Sequence, residues 1–79
     1  MNAARRRVLD KATALIGEAR DLITQAAEEE REALENLPDS LQYGAKGEAM
    51  GECADTLTEQ AGELENIEAA ISEAKGGNQ

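Results

Sequence analysis

The chain has no histidine, tryptophan or phenylalanine, and holds a single cysteine, a single proline and a single tyrosine. Without histidine, the commonest general base and the commonest metal ligand are both missing, so neither a Ser-His-Asp nor a Cys-His arrangement can be assembled. A helical di-metal centre meets the same obstacle, because it pairs an inward glutamate with a histidine three residues later. A protein without enzymatic activity, cofactor or metal is the expectation. The lone Cys53 has no disulfide partner within the chain, and no apolar run follows Arg5, Arg6 and Arg7 to serve as a signal segment. A reducing cytoplasm is therefore expected, that of a bacterial host if the chain is phage-encoded. Charges interrupt every hydrophobic stretch well short of the roughly 20 apolar residues that a membrane span needs. With one aromatic residue in the whole chain, sheet structure is not expected either.

What remains is helix-forming material: alanine, glutamate, leucine, glutamine, arginine and lysine dominate the 79 residues. A chain this short makes one domain and buries too small a share of its surface to be comfortably stable, so a core shared between chains is the natural remedy. The net charge is −9. Residues 1–11 set four bases against one acid and carry +3, which leaves −12 on the remainder. Such an acidic body repels nucleic acid and complements a protein partner with a basic surface.

In the first half, Val8, Ala12, Leu15, Ala19, Leu22, Ala26 and Ala33 recur at steps of three and four, and Leu9, Ile16 and Ile23 widen the stripe by one residue. A stripe of three positions in seven is broader than a two-stranded seam and calls for more than one neighbour. Pro38 disfavours helix in the residue before it, so the first helix is predicted over 3–37. Like charges from Glu28 to Glu32 oppose it locally. Residues 38–47 read as a connector in which Asp39 or Ser40 can begin one helical turn, with Leu41 and Tyr43 folding back over the open end of the helix pair. A second helix is predicted over 48–75, ended by the glycine-rich tail 76–79, expected to fray. Its seam sets Met50, Leu57, Leu64 and Ile71 at one position and Cys53, Gln60, Ile67 and Ala74 at the other, flanked by Ala54 and Ala61. Cys53 thus reads as a small buried hydrophobe, not a nucleophile. Gln60 reads as a polar residue fixing register or lying at an open edge. Gly51 and Gly62 cost about 1 kcal/mol each inside a helix, a cost expected where another backbone comes close.

The predicted fold is all-α, an antiparallel hairpin of two long amphipathic helices in one domain. Two hairpins are expected to pair into a homodimeric four-helix bundle, with Val8, Leu15, Leu22, Met50, Leu57, Leu64, Ile67 and Ile71 in its helix seams or dimer core. A single hairpin completing its core on a different protein is the competing arrangement. Glu48, Glu52, Asp55, Glu59 and Glu63 follow steps of four, three, four and four and form one outer stripe. That stripe is either a solvated face or a surface that binds a partner, in the extreme by imitating the phosphate track of a nucleic acid. Arg5, Arg6 and Arg7 are expected to neutralise Glu65, Glu68 or Glu73, or their equivalents in a second chain.

Leu37-Pro38-Asp39-Ser40-Leu41-Gln42, Lys46-Gly47-Glu48-Ala49-Met50, Leu57 and Gly62-Glu63-Leu64-Glu65 together resemble a pattern in small acidic helical-hairpin proteins encoded by bacteriophages and prophages. The resemblance implies a mobile-element origin and a hairpin, and no particular activity. The resulting expectation is an interaction protein that modulates a partner through acidic helix faces. The alternatives are an inhibitor of a host nucleic-acid-binding or defence complex acting by charge mimicry, and a small phage assembly factor or chaperone.

Overall fold

A computed structural model describes residues 1–76. They form three helices, α1 (Ala3–Glu35), α2 (Asp39–Gln42) and α3 (Ala45–Gly76), with no strand among the described residues. The Cα extents of 58 × 16 × 12 Å describe a rod. The tail prediction falls partly outside the described residues; Gly76 itself closes α3.

α1 starts where the Asn2 side chain accepts the Arg5 backbone N–H at 2.8 Å, a first-turn donor that would otherwise lack a partner. It runs unbroken through Glu28–Glu32 and stops at Glu35, two residues earlier than predicted, where the Asn36 and Leu37 amides turn back to Glu32 O and Leu34 O. Pro38 then begins α2, its carbonyl accepting from the Leu41 and Gln42 amides. The inward-turning side chain here is Gln42, which donates to Leu37 O at 2.8 Å and Glu35 O at 3.1 Å and so satisfies carbonyls left over by α1. Leu41 and Tyr43 do not plug the core; they point to solvent, and Tyr43 is 86% exposed. Gln42 occupies that place with an amide that donates to two carbonyls at once, which Leu41, having no donor on its side chain, could not do.

α3 begins at Ala45, three residues before the predicted start, and takes in Gly47. A Cβ at Gly47 would stand 1.9 Å from Gln42 O, so this glycine lets the end of α2 rest on the first turn of α3. The close approach expected at Gly51 and Gly62 is not there. A Cβ at Gly51 would make ordinary contact with Leu34 at 3.8 Å, and one at Gly62 would meet nothing within 4 Å.

α1 and α3 lie side by side and run in opposite directions. Asp10 meets Lys75, Arg20 meets Glu65 and Glu68, and Arg31 meets Asp55, pairs whose numbers keep a near-constant sum of about 86. The facing surfaces are Leu9, Thr13, Ile16, Arg20, Ile23, Ala27 and Leu34 on α1, and Met50, Ala54, Leu57, Ala61, Leu64, Glu68 and Ile71 on α3. Of the apolar side chains among the described residues, only Ala27, Ala54 and Ala61 are buried.

This seam differs in phase from the predicted one. Val8, Leu15 and Leu22 are 68%, 55% and 66% exposed and lie outside the contact with α3, their places taken by Leu9, Ile16 and Ile23 one residue on. A one-residue step turns a helix by about 100°. The observed phase brings Arg20 and Arg31 beside the acids of α3. On α3, Met50, Leu57, Leu64 and Ile71 are half-buried, whereas Ile67 is 46% exposed and Cys53, Gln60 and Ala74 are exposed as well. Ala54 and Ala61 replace them because their small side chains let the two backbones approach where Gln60 and Ile67 would hold them apart.

Gly47→Ala is expected to lower stability by about 1–3 kcal/mol, as overpacking against a backbone carbonyl does. Gly62→Ala, in open space within the same helix, should raise it by up to about 1 kcal/mol. Denaturant unfolding followed by circular dichroism gives both values, and equal effects would contradict the described contact of α2 with α3.

Candidate functional site

The antiparallel pairing gathers the acids of two separate sequence segments. Glu28, Glu29, Glu32 and Glu35 of α1 lie along the same half of the rod as Glu48, Glu52, Asp55 and Glu59 of α3. Residues 28–59 hold ten acids and two bases, a charge of −8 out of the total −9. The other half, holding both termini, is close to neutral.

All five stripe residues predicted from the sequence are exposed. The spacing keeps Glu48, Glu52, Asp55, Glu59 and Glu63 within about a quarter turn of one another, away from the seam. Asp55 is occupied: Arg31 Nη2 donates to its Oδ1 at 2.9 Å and to Thr58 Oγ1 at 3.2 Å. Among the described residues Glu48, Glu52, Glu59 and Glu63 enter no ion pair. The contribution of α1 was absent from the predicted site. The signal that could have found it is the pairing register, which sets residues 28–35 opposite roughly 51–58.

At the other half the bases behave differently from expectation. Among the described residues Arg20, and none of Arg5, Arg6 or Arg7, pairs with Glu65 at 3.9 Å and Glu68 at 3.3 Å. Gly17 makes room for this, since a Cβ there would stand 3.1 Å from Glu68 Oε1. Arg6 Nε and Nη2, Thr13 Oγ1 and Arg20 Nε are buried without a hydrogen-bond partner among the described residues. These three residues recur every seventh position, so the seam of this half is polar at alternate layers. An open groove of about 700 Å³ runs between the helices near mid-rod, floored by Ala27, Ala61 and Gly62 and rimmed by Arg20, Arg31 and Glu65. Cys53 is an exposed thiol, not a buried hydrophobe. Among the described residues no three His, Cys, Asp or Glu side chains are grouped to hold a metal ion, and no helix is long and apolar enough to cross a membrane.

Comparison of the chain with protein-family models, with curated proteins and with solved structures finds no match.

The acidic half repels itself. Glu32 has Glu28 and Glu29 before it and Glu35 after it at helical-neighbour spacing, and each such like-charge pair costs a few tenths of a kcal/mol. Glu32→Gln is expected to raise the melting temperature in low-salt buffer. The gain should vanish at about 1 M salt, where the Debye length falls to roughly 3 Å. A gain independent of salt would point to helix propensity and not to charge.

Proposed function

We propose that this protein is a non-enzymatic interaction module: a helical hairpin that pairs with a second copy in a four-helix bundle and binds a partner protein of basic surface through its acidic half. The observation that supports this reading is the concentration of −8 on one half of the rod, where Glu48, Glu52 and Glu59 enter no ion pair among the described residues. Charge held together on a rigid scaffold steers a basic partner over long range and fixes the orientation of the encounter. Carboxylates satisfied within the chain could not do so. The resemblance to phage-encoded hairpins supplies a setting, in which a mobile element's protein acts on a host or phage partner.

A second reading, inhibition of a nucleic-acid-binding complex by charge mimicry, draws on the same surface. Glu48, Glu52, Asp55 and Glu59 succeed one another at about 5–6 Å along the axis, and α1 adds a parallel row. A groove built for phosphates accepts such a track; a basic partner of another kind needs only part of it.

The test is capture from a bacterial lysate on the immobilised protein, eluted in steps of rising salt, beside a variant carrying Glu48→Lys, Glu52→Lys and Glu59→Lys. Basic proteins held by the parent and released at moderate salt should be lost from the variant, with helicity unchanged by circular dichroism. Retention of the same proteins by the variant would overturn the acidic-face reading. Recovery of nucleic-acid-binding complexes in particular would favour mimicry.

A further inference from the structure

Turned away from α3, α1 carries a second apolar stripe. Val8, Ala12, Leu15, Ala19, Leu22 and Ala26 follow one another at steps of four and three, the spacing of an interhelical seam. Its three large members are more than half exposed. Ile67 and Ala74 of α3 lie on the same side of the rod, each one residue before a seam position as Ala19 and Ala26 are on α1. The open groove occupies the opposite side. No charge interrupts the stripe from Val8 to Ala26, and Glu29, one heptad after Leu22, ends it. Beneath it lies the weaker part of the seam, where Arg6, Thr13 and Arg20 leave buried polar atoms unpartnered. A contiguous apolar face over a core whose only buried apolar side chains, among the described residues, are three alanines marks an interaction surface.

We infer that this face is where a second copy of the chain docks head to tail, on a two-fold axis passing beside Leu15. The inference rests on the paired-hairpin reading above and names its interface. The axis sets Leu15 against Leu15 of the second copy and Val8 against Leu22. Lys11 and Glu18 are both exposed and free of ion pairs among the described residues, and they flank the stripe at equivalent positions one heptad apart. The same axis sets Lys11 of each copy beside Glu18 of the other, a complementary pair formed twice. The arrangement with both connectors at one end would instead stack two segments of −8. Head to tail, the overlap covers roughly residues 4–26. This strip is about 33 Å long and 16 Å across, so on the order of 1,000 Å² is buried in total, which reaches the lower bound of a specific interface. Ala12, Ala19 and Ala26 allow the two α1 helices to approach closely. Both acidic halves then project at opposite ends, uncovered.

Cys53 provides the measurement. It is exposed, and its level on α3 lies about 18 residues along the rod from the axis, so nitroxide labels on two copies should stand about 54 Å apart. Connectors-together packing would bring them within about 20 Å. Light scattering of the full chain should give a dimer mass, and pulsed dipolar spectroscopy a distance near 54 Å. Leu15→Glu should return a monomer mass. Lys11→Glu, which touches no core, should weaken dimerisation by up to about tenfold, and adding Glu18→Lys should restore it. A monomer mass at every concentration would overturn both this inference and the paired-hairpin reading. A dimer with the short distance, or one indifferent to Lys11→Glu, would overturn this interface alone.

Discussion

Close approach of α1 and α3 at Ala27, Ala54 and Ala61 is the constraint on which the rest of the structure depends. Where these small side chains meet, the two backbones come together, and the larger residues on either side can be only half-covered by a single neighbour. The cross-helix ion pairs Asp10–Lys75, Arg20–Glu68 and Arg31–Asp55 frame the contact. Each is partly exposed and contributes little to stability, at most about 1 kcal/mol for pairs of this kind. They mark which residue faces which along the two helices.

Register decides how charge is distributed in space. With about 86 as the pairing sum, the acid-rich end of α1 is brought beside the acid-rich start of α3, and nearly all the net charge collects on one half of the rod. The connector ties the two helices together at that half. Pro38 begins the α2 turn, Gln42 ties it to the last carbonyls of α1, and Gly47 lets it sit directly on α3.

Phase decides which apolar residues are left over. With Leu9, Ile16 and Ile23 against α3, the equally apolar Val8, Leu15 and Leu22 must face outward. The rod therefore divides its two surface chemistries: an apolar face over the half that holds the termini, and an acidic surface around the half that holds the connector. On the proposed reading, the first would serve self-association and the second a basic partner.

By itself, the sequence determined the helical character of the chain, the two long helices to within about three residues, and the connector at Pro38. Each follows from local propensity or from residue type, which act without reference to distant parts of the chain. Phase was not legible. On α1 two stripes of matching hydrophobicity stand one residue apart, and on α3 Ile67 is a more hydrophobic candidate than Ala61, so hydrophobicity alone does not say which of them faces the other helix. Only the opposing helix resolves the choice, by rewarding small side chains at the point of closest approach and by placing Arg20 and Arg31 against acids. The gathering of Glu28–Glu35 and Glu48–Glu59 on one half of the rod is likewise a product of the tertiary pairing, since residues this far apart in sequence come to the same level only when the chain turns back on itself.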